Sequence, residues 1–256
     1  MAALKAEGII LRKYLLRETS YILVIFTREY GKIRGVLKGA RNPYPQFAGN
    51  FEIFTQCELL FYGKRKKGMD LISRCEAVDF FLPVRKDIER LTYANYFIEL
   101  IDAVSNDHEA NTELYEIILE GLRLLATESS PRRAGRIFEI KLLDAIGLGP
   151  RLDECAGCSS SLPEDFRFSV KCGGIVCRDC AKKEGASMEI SSGTRNFMRR
   201  IHDIPFTKAR QVKVSKVVGR EAEAILKKFI QYYIGGQMRS MKFLEDMDRT
   251  GVLRKV

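Results

Sequence analysis

Between Leu4 and Val78 the apolar residues come in short runs with no 3.6-residue period. Leu4–Tyr14, Ser20–Thr27, Lys32–Lys38, Phe51–Tyr62 and Met69–Val78 are rich in Ile, Val, Phe, Tyr and Thr, the residues that fit a pleated, half-buried surface. Turn chemistry separates them: Glu29-Tyr30-Gly31-Lys32 is a hairpin signal, Asn42-Pro43-Tyr44-Pro45 opens a loop, and Gly63-Lys64-Arg65-Lys66-Lys67-Gly68 is a basic tip between two glycines. Five strands in about eighty residues suit a small barrel better than a sandwich. Ile53, Thr55, Cys57, Leu59 and Phe61 share one face of the fourth strand. Met69, Leu71, Ser73, Cys75 and Ala77 share one face of the fifth. Cys57 and Cys75 then read as small buried hydrophobes.

From Pro83 the period changes. Ile88, Leu91, Ala94, Ile98, Ile101 and Val104 follow helical spacing. Asn111 is placed to cap a second helix, and Ser130-Pro131 supplies a cap and a first-turn proline for a third, ending near Gly147-Leu148-Gly149-Pro150. A fourth helix starts at Ser191 or Ser192 and carries Phe197 and Ile201. A fifth carries Val214, Val218, Ala222, Ile225 and Phe229, and a short sixth covers Met238–Met247. The predicted architecture is α+β and multidomain. Residues 1–82 form a five-stranded barrel, and residues 83–152 and 188–256 form an all-α domain. A cysteine-rich module over 153–187 interrupts the helices.

Composition fits a soluble globular chain, with 46% hydrophobic and 30% charged residues. No apolar run approaches the roughly 18 residues of a membrane span, and the N-terminal residues lack a secretory pattern. The expected compartment is the cytoplasm. The net charge is +10 and uneven. Residues 1–82 hold 14 basic and 8 acidic side chains, and residues 188–256 hold 15 and 7, around an acidic middle. Basic regions at both ends suggest a polyanionic partner engaged twice.

Five of the seven cysteines fall between Glu154 and Cys180. Cys155-x-x-Cys158 and Cys177-x-x-Cys180 stand 18 residues apart, the spacing of a four-thiolate zinc site. Each C-x-x-C turn offers two thiolates from one knuckle, and Zn²⁺ takes four in a tetrahedron. Four cysteines close the shell, so one structural Zn²⁺ per chain is expected and catalytic zinc is not. Cys172 has no C-x-x-C partner and reads as a free thiol at a strand end; exchange of Cys172 for Cys177 is the rival ligand set. His108 and His202 read as loop and helix-end residues.

Other chemistry is sparse. There is no G-x-x-x-x-G-K-[ST] loop and no G-x-S-x-G elbow. Asp246 and Asp248 read as a solvated face rather than a Mg²⁺ site, so no enzyme is expected. The nucleic-acid-binding candidates are Arg12, Lys13, Arg17, Lys32, Arg34, Lys38, Arg41, Tyr44, Lys64, Arg65, Lys66 and Lys67, with Tyr14 and Phe47 as further stacking groups and Arg28 nearby. Cationic tracking with aromatic stacking is how OB-type barrels hold single strands. Whether the stripe Arg195, Arg199 and Arg200 faces DNA, a protein or solvent is open.

The chain resembles the RecO family of recombination mediators. The resemblance rests on the opening AEGIILRKYLLRETSYILVIFTREYGKIRGVLKGAR, on the C-x-x-C…GGIVCRDC module among helices, and on the late YYIGGQMRSMKFLEDM. It covers essentially the full length. It implies an N-terminal OB barrel followed by a helical domain with a zinc module. It also implies binding of single- and double-stranded DNA, annealing of complementary strands, and cooperation with RecR. Together these help RecA displace single-strand-binding protein (SSB) in gap repair in the bacterial cytosol. The SSB tail, acidic with an apolar end, would suit a basic, apolar pocket among the helices. Two rivals are a zinc-containing RNA-binding or transcription-associated factor, separated by an annealing assay on SSB-coated DNA, and a metal-dependent nuclease, separated by degradation of labelled DNA.

Overall fold

The short β-branched runs become five strands: β1 (Leu4–Leu16), β2 (Ser20–Thr27), β3 (Gly31–Leu37), β4 (Gln56–Tyr62) and β5 (Asp70–Asp79). The computed structural model describes residues 2–40, 51–63, 68–161, 164–235 and 238–250. At 13 residues β1 is long enough to pair twice, antiparallel with β4 over its first half and with β2 over its second. β3 meets β5 in parallel over Gly35–Leu37 and Asp70–Ile72, which closes a barrel in the order β1-β2-β3-β5-β4. A Cβ at Gly35 would lie 2.5 Å from Ile72 Cγ1, so this closure needs the glycine. The result is an OB-type barrel. Its interior is filled by Ile10, Leu23, Ile25, Ile33, Leu37, Leu59, Phe61 and Ile72, with Cys57 and Cys75 buried among them.

Two details depart from the sequence expectation. The fourth strand begins at Gln56 rather than Phe51, because Phe54 takes a left-handed φ of 52°. Arg85 lies 3.9 Å from the Phe54 ring centroid and donates to the Ile53 carbonyl at 2.9 Å, fixing that turn. In β5 the pairing slips: Leu60 opposes Arg74, but Phe61 opposes Ile72. Ser73 is the extra residue, and its hydroxyl donates to the Leu60 carbonyl at 3.0 Å. This bulge switches the inward face, so Cys75 and Ile72 point into the core where alternation alone predicts Cys75, Ser73 and Leu71.

Three helices follow: α1 (Leu82–Arg85), α2 (Ile88–Val104) and α3 (Thr112–Thr127). The Asp87 carboxylate accepts from Arg90 N at 2.8 Å and the Asn111 side chain from Leu114 N at 2.9 Å, so both long helices start on satisfied caps. Next come α4 (Pro131–Ala145), β6 (Phe166–Ser169), β7 (Gly174–Cys177), α5 (Arg178–Glu184), β8 (Met188–Glu189), α6 (Ser192–Asp203), α7 (Phe206–Ala209) and α8 (Lys216–Tyr233). Ser130, Ser191 and Ser215 cap α4, α6 and α8. The last helix is α9 (Arg239–Thr250).

The chain divides into two compact units, Met1–Thr127 with Met238–Val256, and Glu128–Gln237. Helices α1–α3 and α9 therefore group with the barrel, whereas the change of period at Pro83 sets all helices apart from it. The reason lies in α9: Met241, Leu244 and Met247 are buried, α9 packs on α2, and Ser240 Oγ donates to Glu99 Oε2 at 2.7 Å. In the second unit α4 packs on α6 and α8. Arg136 and Glu139 are buried there as a pair, Nε to Oε2 2.6 Å, with Glu223 of α8 at 3.2 Å from Arg136 Nη1. No described helix is long and apolar enough to cross a membrane.

Candidate nucleic-acid interface and metal centre

The cysteine knuckles are built by a small antiparallel sheet in the order β7-β6-β8. Arg151 pairs with Gly174 beside it, and a Cβ on Gly174 would fall 2.3 Å from the Arg151 carbonyl oxygen. The first knuckle is pinned to β7 by Ala156 N, which donates to the Ile175 carbonyl at 2.6 Å. Cys177 ends β7, and Cys180 lies in the first turn of α5. The Sγ atoms of Cys155, Cys158, Cys177 and Cys180 all lie within 4.8 Å of one another. A Cβ at Gly157 would sit 3.0 Å from Cys180 Sγ, so the glycine keeps that space clear.

Burial pushes the Cys155 thiol up, but the N–H groups of Cys177, Gly157 and Cys158 outweigh it and bring it down to about 6. The Ser160 hydroxyl and N–H lower Cys158. Cys180, crowded by the sulfurs of Cys177 and Cys158, is pushed up to about 12. Four sulfurs converging on one point form a donor set for a thiophilic cation, whose charge would favour the thiolate form of each. Cys172 stands apart, in the turn between β6 and β7, with its N–H donating to Ser169 Oγ at 3.1 Å. The structure thus gathers Cys177 and not Cys172 into the four.

The predicted cations of the barrel do not all share one surface. Strand pairing aligns Arg12 with Val24 and Val24 with Arg34, so Arg12 and Arg34 flank Val24 on the outer face of β1-β2-β3. Tyr14, Ile22 and Val36 form the next row, and Lys38 follows β3 on the same side. Arg12, Tyr14, Arg34 and Lys38 are exposed. Lys13 points to the opposite face of β1, where it pairs with Glu52 at 2.6 Å and lies 5.4 Å from the Tyr21 ring centroid. Arg17 is exposed in the β1–β2 turn with a φ of 53°. Arg28 pairs with Glu116 and Glu7. Arg41, Tyr44, Phe47, Lys64, Arg65, Lys66 and Lys67 lie outside the described residues.

Lys32 is a correction. Alternation puts it on the outer face beside Arg34, but α2 covers that end of β3. Lys32 is 7% exposed, and its amine donates to the Asp102 carbonyl at 2.8 Å and to Asp102 Oδ1 at 3.0 Å. It is an internal ion pair, out of reach of a polyanion. Asp102 also pairs with Arg12, and Asp107 approaches Arg34 at 3.7 Å. The outer face is therefore partly neutralised by its own helix and loop, and Lys38 is its cation with no carboxylate partner among the described residues.

Sequence reasoning did not locate a cavity of about 550 Å³ in the second unit. Phe197, Val212, Val214 and Val218 supply its apolar lining, and Arg200 and Lys213 its charge. These residues come from α6, α8 and the segment before α8. Of the arginine stripe on α6, Arg195 donates to the Leu152 carbonyl and Arg199 pairs with Asp153 at 3.0 Å, which leaves Arg200 to the cavity.

Comparison with known proteins agrees with this architecture. The family Recombination protein O N terminal matches residues 1–81, and Recombination protein O C terminal matches residues 85–242. A DNA repair protein RecO of Desulforamulus reducens is 32% identical over 99% of this chain and 98% of its own length. Those of Pelotomaculum thermopropionicum and Moorella thermoacetica are 30% and 28% identical, over 96% and 95% of this chain and 94% and 91% of their own. An OB barrel, a helical region with a four-cysteine cluster, and full-length similarity together place this chain in the RecO family of DNA repair proteins.

Proposed function

We propose that this chain is a non-catalytic recombination mediator of the cytosol. It binds single- and double-stranded DNA, anneals complementary strands and, with RecR, helps RecA load onto SSB-coated strands. The observation that carries the reading is the outer face of β1-β2-β3. There Arg12, Arg34 and Lys38 surround an apolar row edged by Tyr14 on an OB barrel. Phosphates engage the cations and unpaired bases meet the aromatic and apolar row, without base-specific readout. Annealing needs no bond-breaking group. It needs two backbones neutralised at once and released once paired.

The cavity with Arg200 and Lys213 over an apolar floor supports a second contact, with the acidic, apolar-ended tail of SSB. Zn²⁺ fits the cysteine cluster. Zn–S bonds of about 2.3 Å give tetrahedral edges of about 3.8 Å, and Cys158 Sγ lies 4.0 Å from Cys177 Sγ. The ion's part is structural, since it fastens both knuckles to a three-stranded sheet too small to fold on its own packing.

The test is annealing of complementary strands coated with SSB, repeated in rising salt. The expected result is accelerated annealing and a single-strand affinity that falls steeply between roughly 50 and 200 mM salt through counterion release. Salt-independent affinity, or no acceleration on coated strands, overturns the reading.

A further inference from the structure

Annealing requires a place for the second strand, and the barrel face offers one track. The exposed side of α8 carries another. Lys216, Arg220, Ala224, Lys228 and Tyr232 follow one another at four-residue intervals, and all five are exposed. On an α-helix such a row is a continuous ridge slanting across the solvent face, here about 24 Å long. Core contacts occupy the other side through Ala222, Ile225, Leu226, Phe229 and Ile230.

The charge on this ridge is of one sign. The helix has two acids, Glu221 and Glu223, and both are engaged away from it. Glu221 accepts from Ser191 and Thr194, and Glu223 takes Arg136 at 3.2 Å. Lys216, Arg220 and Lys228 pair with no carboxylate among the described residues. Like charges four apart, as at Lys216 and Arg220, work against a helix, whereas an ordinary solvent face mixes signs. The ridge ends on Tyr232, 59% exposed and braced edge-on by Tyr233 at 4.9 Å between centroids. Tyr233 is itself held, with its hydroxyl donating to the Val170 carbonyl at 3.0 Å and its ring 4.6 Å from Phe229. A cationic row leading to a fixed, exposed aromatic ring suits a strand with unpaired bases, since only those present a free face for stacking. At the 3.4 Å spacing of a stacked strand, 24 Å accommodates about seven nucleotides.

We infer that the Lys216–Arg220–Lys228–Tyr232 ridge of α8 is a second single-stranded nucleic-acid track, separate from the barrel face. The inference rests on the annealing reading and deepens it: one chain holds two strands, one on each compact unit.

The test uses the full chain and two non-complementary oligonucleotides, dT12 with a donor dye and dC12 with an acceptor. At low salt the wild-type protein is expected to bring both onto one chain and give energy transfer. The K216Q/R220Q/K228Q variant should bind the first strand within about twofold of wild type. It should lose the transfer signal and anneal roughly tenfold more slowly, with the salt slope of second-strand binding lower by about 2. Glutamine keeps helix propensity at these exposed positions, and an unchanged thermal melt checks the fold. Tyr232→Leu, a milder second variant, should weaken the second strand roughly tenfold. Wild-type annealing and transfer in both variants would overturn the ridge and leave the proposed function standing. Absence of any strand binding by the wild-type chain would remove both. Intact transfer, with loss of binding to an acidic peptide ending in phenylalanine, would assign the ridge to a protein partner and overturn the nucleic-acid track.

Discussion

Lys32 and Asp102 form an internal ion pair, Nζ to Oδ1 3.0 Å, with each side chain 9% exposed. Asp102 lies on α2 and Lys32 on β3, so the contact ties helix to barrel inside one unit. Removing Lys32 takes from the largely buried Asp102 carboxylate its internal partner and leaves it only the exposed Arg12. Lys32→Ala is expected to destabilise the barrel unit by about 3 kcal/mol in urea unfolding. Lys38→Ala, at an exposed position, should leave the midpoint unchanged and weaken single-strand binding about two- to fivefold. The reverse pattern would return Lys32 to the binding surface.

Charge reversal at Arg34 and Lys38 together should lower single-strand affinity at least about tenfold at low salt, with no change in the circular dichroism spectrum. Asp107→Asn should act in the opposite direction, because it releases Arg34 from a carboxylate at 3.7 Å. Affinity that stays level in the double reversal would sink the barrel face as the first track.

Cys158→Ser is expected to lose the bound metal and lower the melting temperature of the second unit. Cys172→Ser should retain both, because its thiol stands outside the four converging sulfurs. Metal content by elemental analysis decides between them. Gly157→Val should behave like a ligand loss even though it removes no sulfur, since its side chain enters the space beside Cys180 Sγ.

Glu221 fastens the start of α6. Burial opposes its charge, but hydrogen bonds from Ser191 and Thr194 outweigh that and hold its carboxyl below the usual range. Its contribution to stability is thus present above the unfolded carboxylate value of about 4.3 and is lost as pH falls through the lower folded value. Wild-type protein should lose melting temperature between pH 5 and 3 more steeply than Glu221→Gln. Parallel melting profiles would show the carboxylate to be dispensable.

Much of this was legible in the chain itself. Strand-sized β-branched runs predict the barrel, and two C-x-x-C turns 18 residues apart predict the converging thiols, because both signals are local. What the sequence hides is non-local. The bulge at Ser73 depends on how β5 registers against β4, so alternation misplaces Ile72. Lys32 looks exposed until α2, seventy residues later, brings Asp102 over it. The cavity floor joins Phe197 to Val212 and Val218, whose meeting depends on how α6 packs against α8.

The return of α9 to α2 makes the second unit an insertion within the first. During synthesis the barrel strands leave the ribosome early, but the apolar stripe of α2 waits for Met241, Leu244 and Met247, which emerge only after the whole second unit. A polypeptide stopped before Arg239 would carry a finished barrel beside an uncovered greasy groove, open to chaperones and proteases. Completion of the first unit thereby reports that the whole intervening segment has been made.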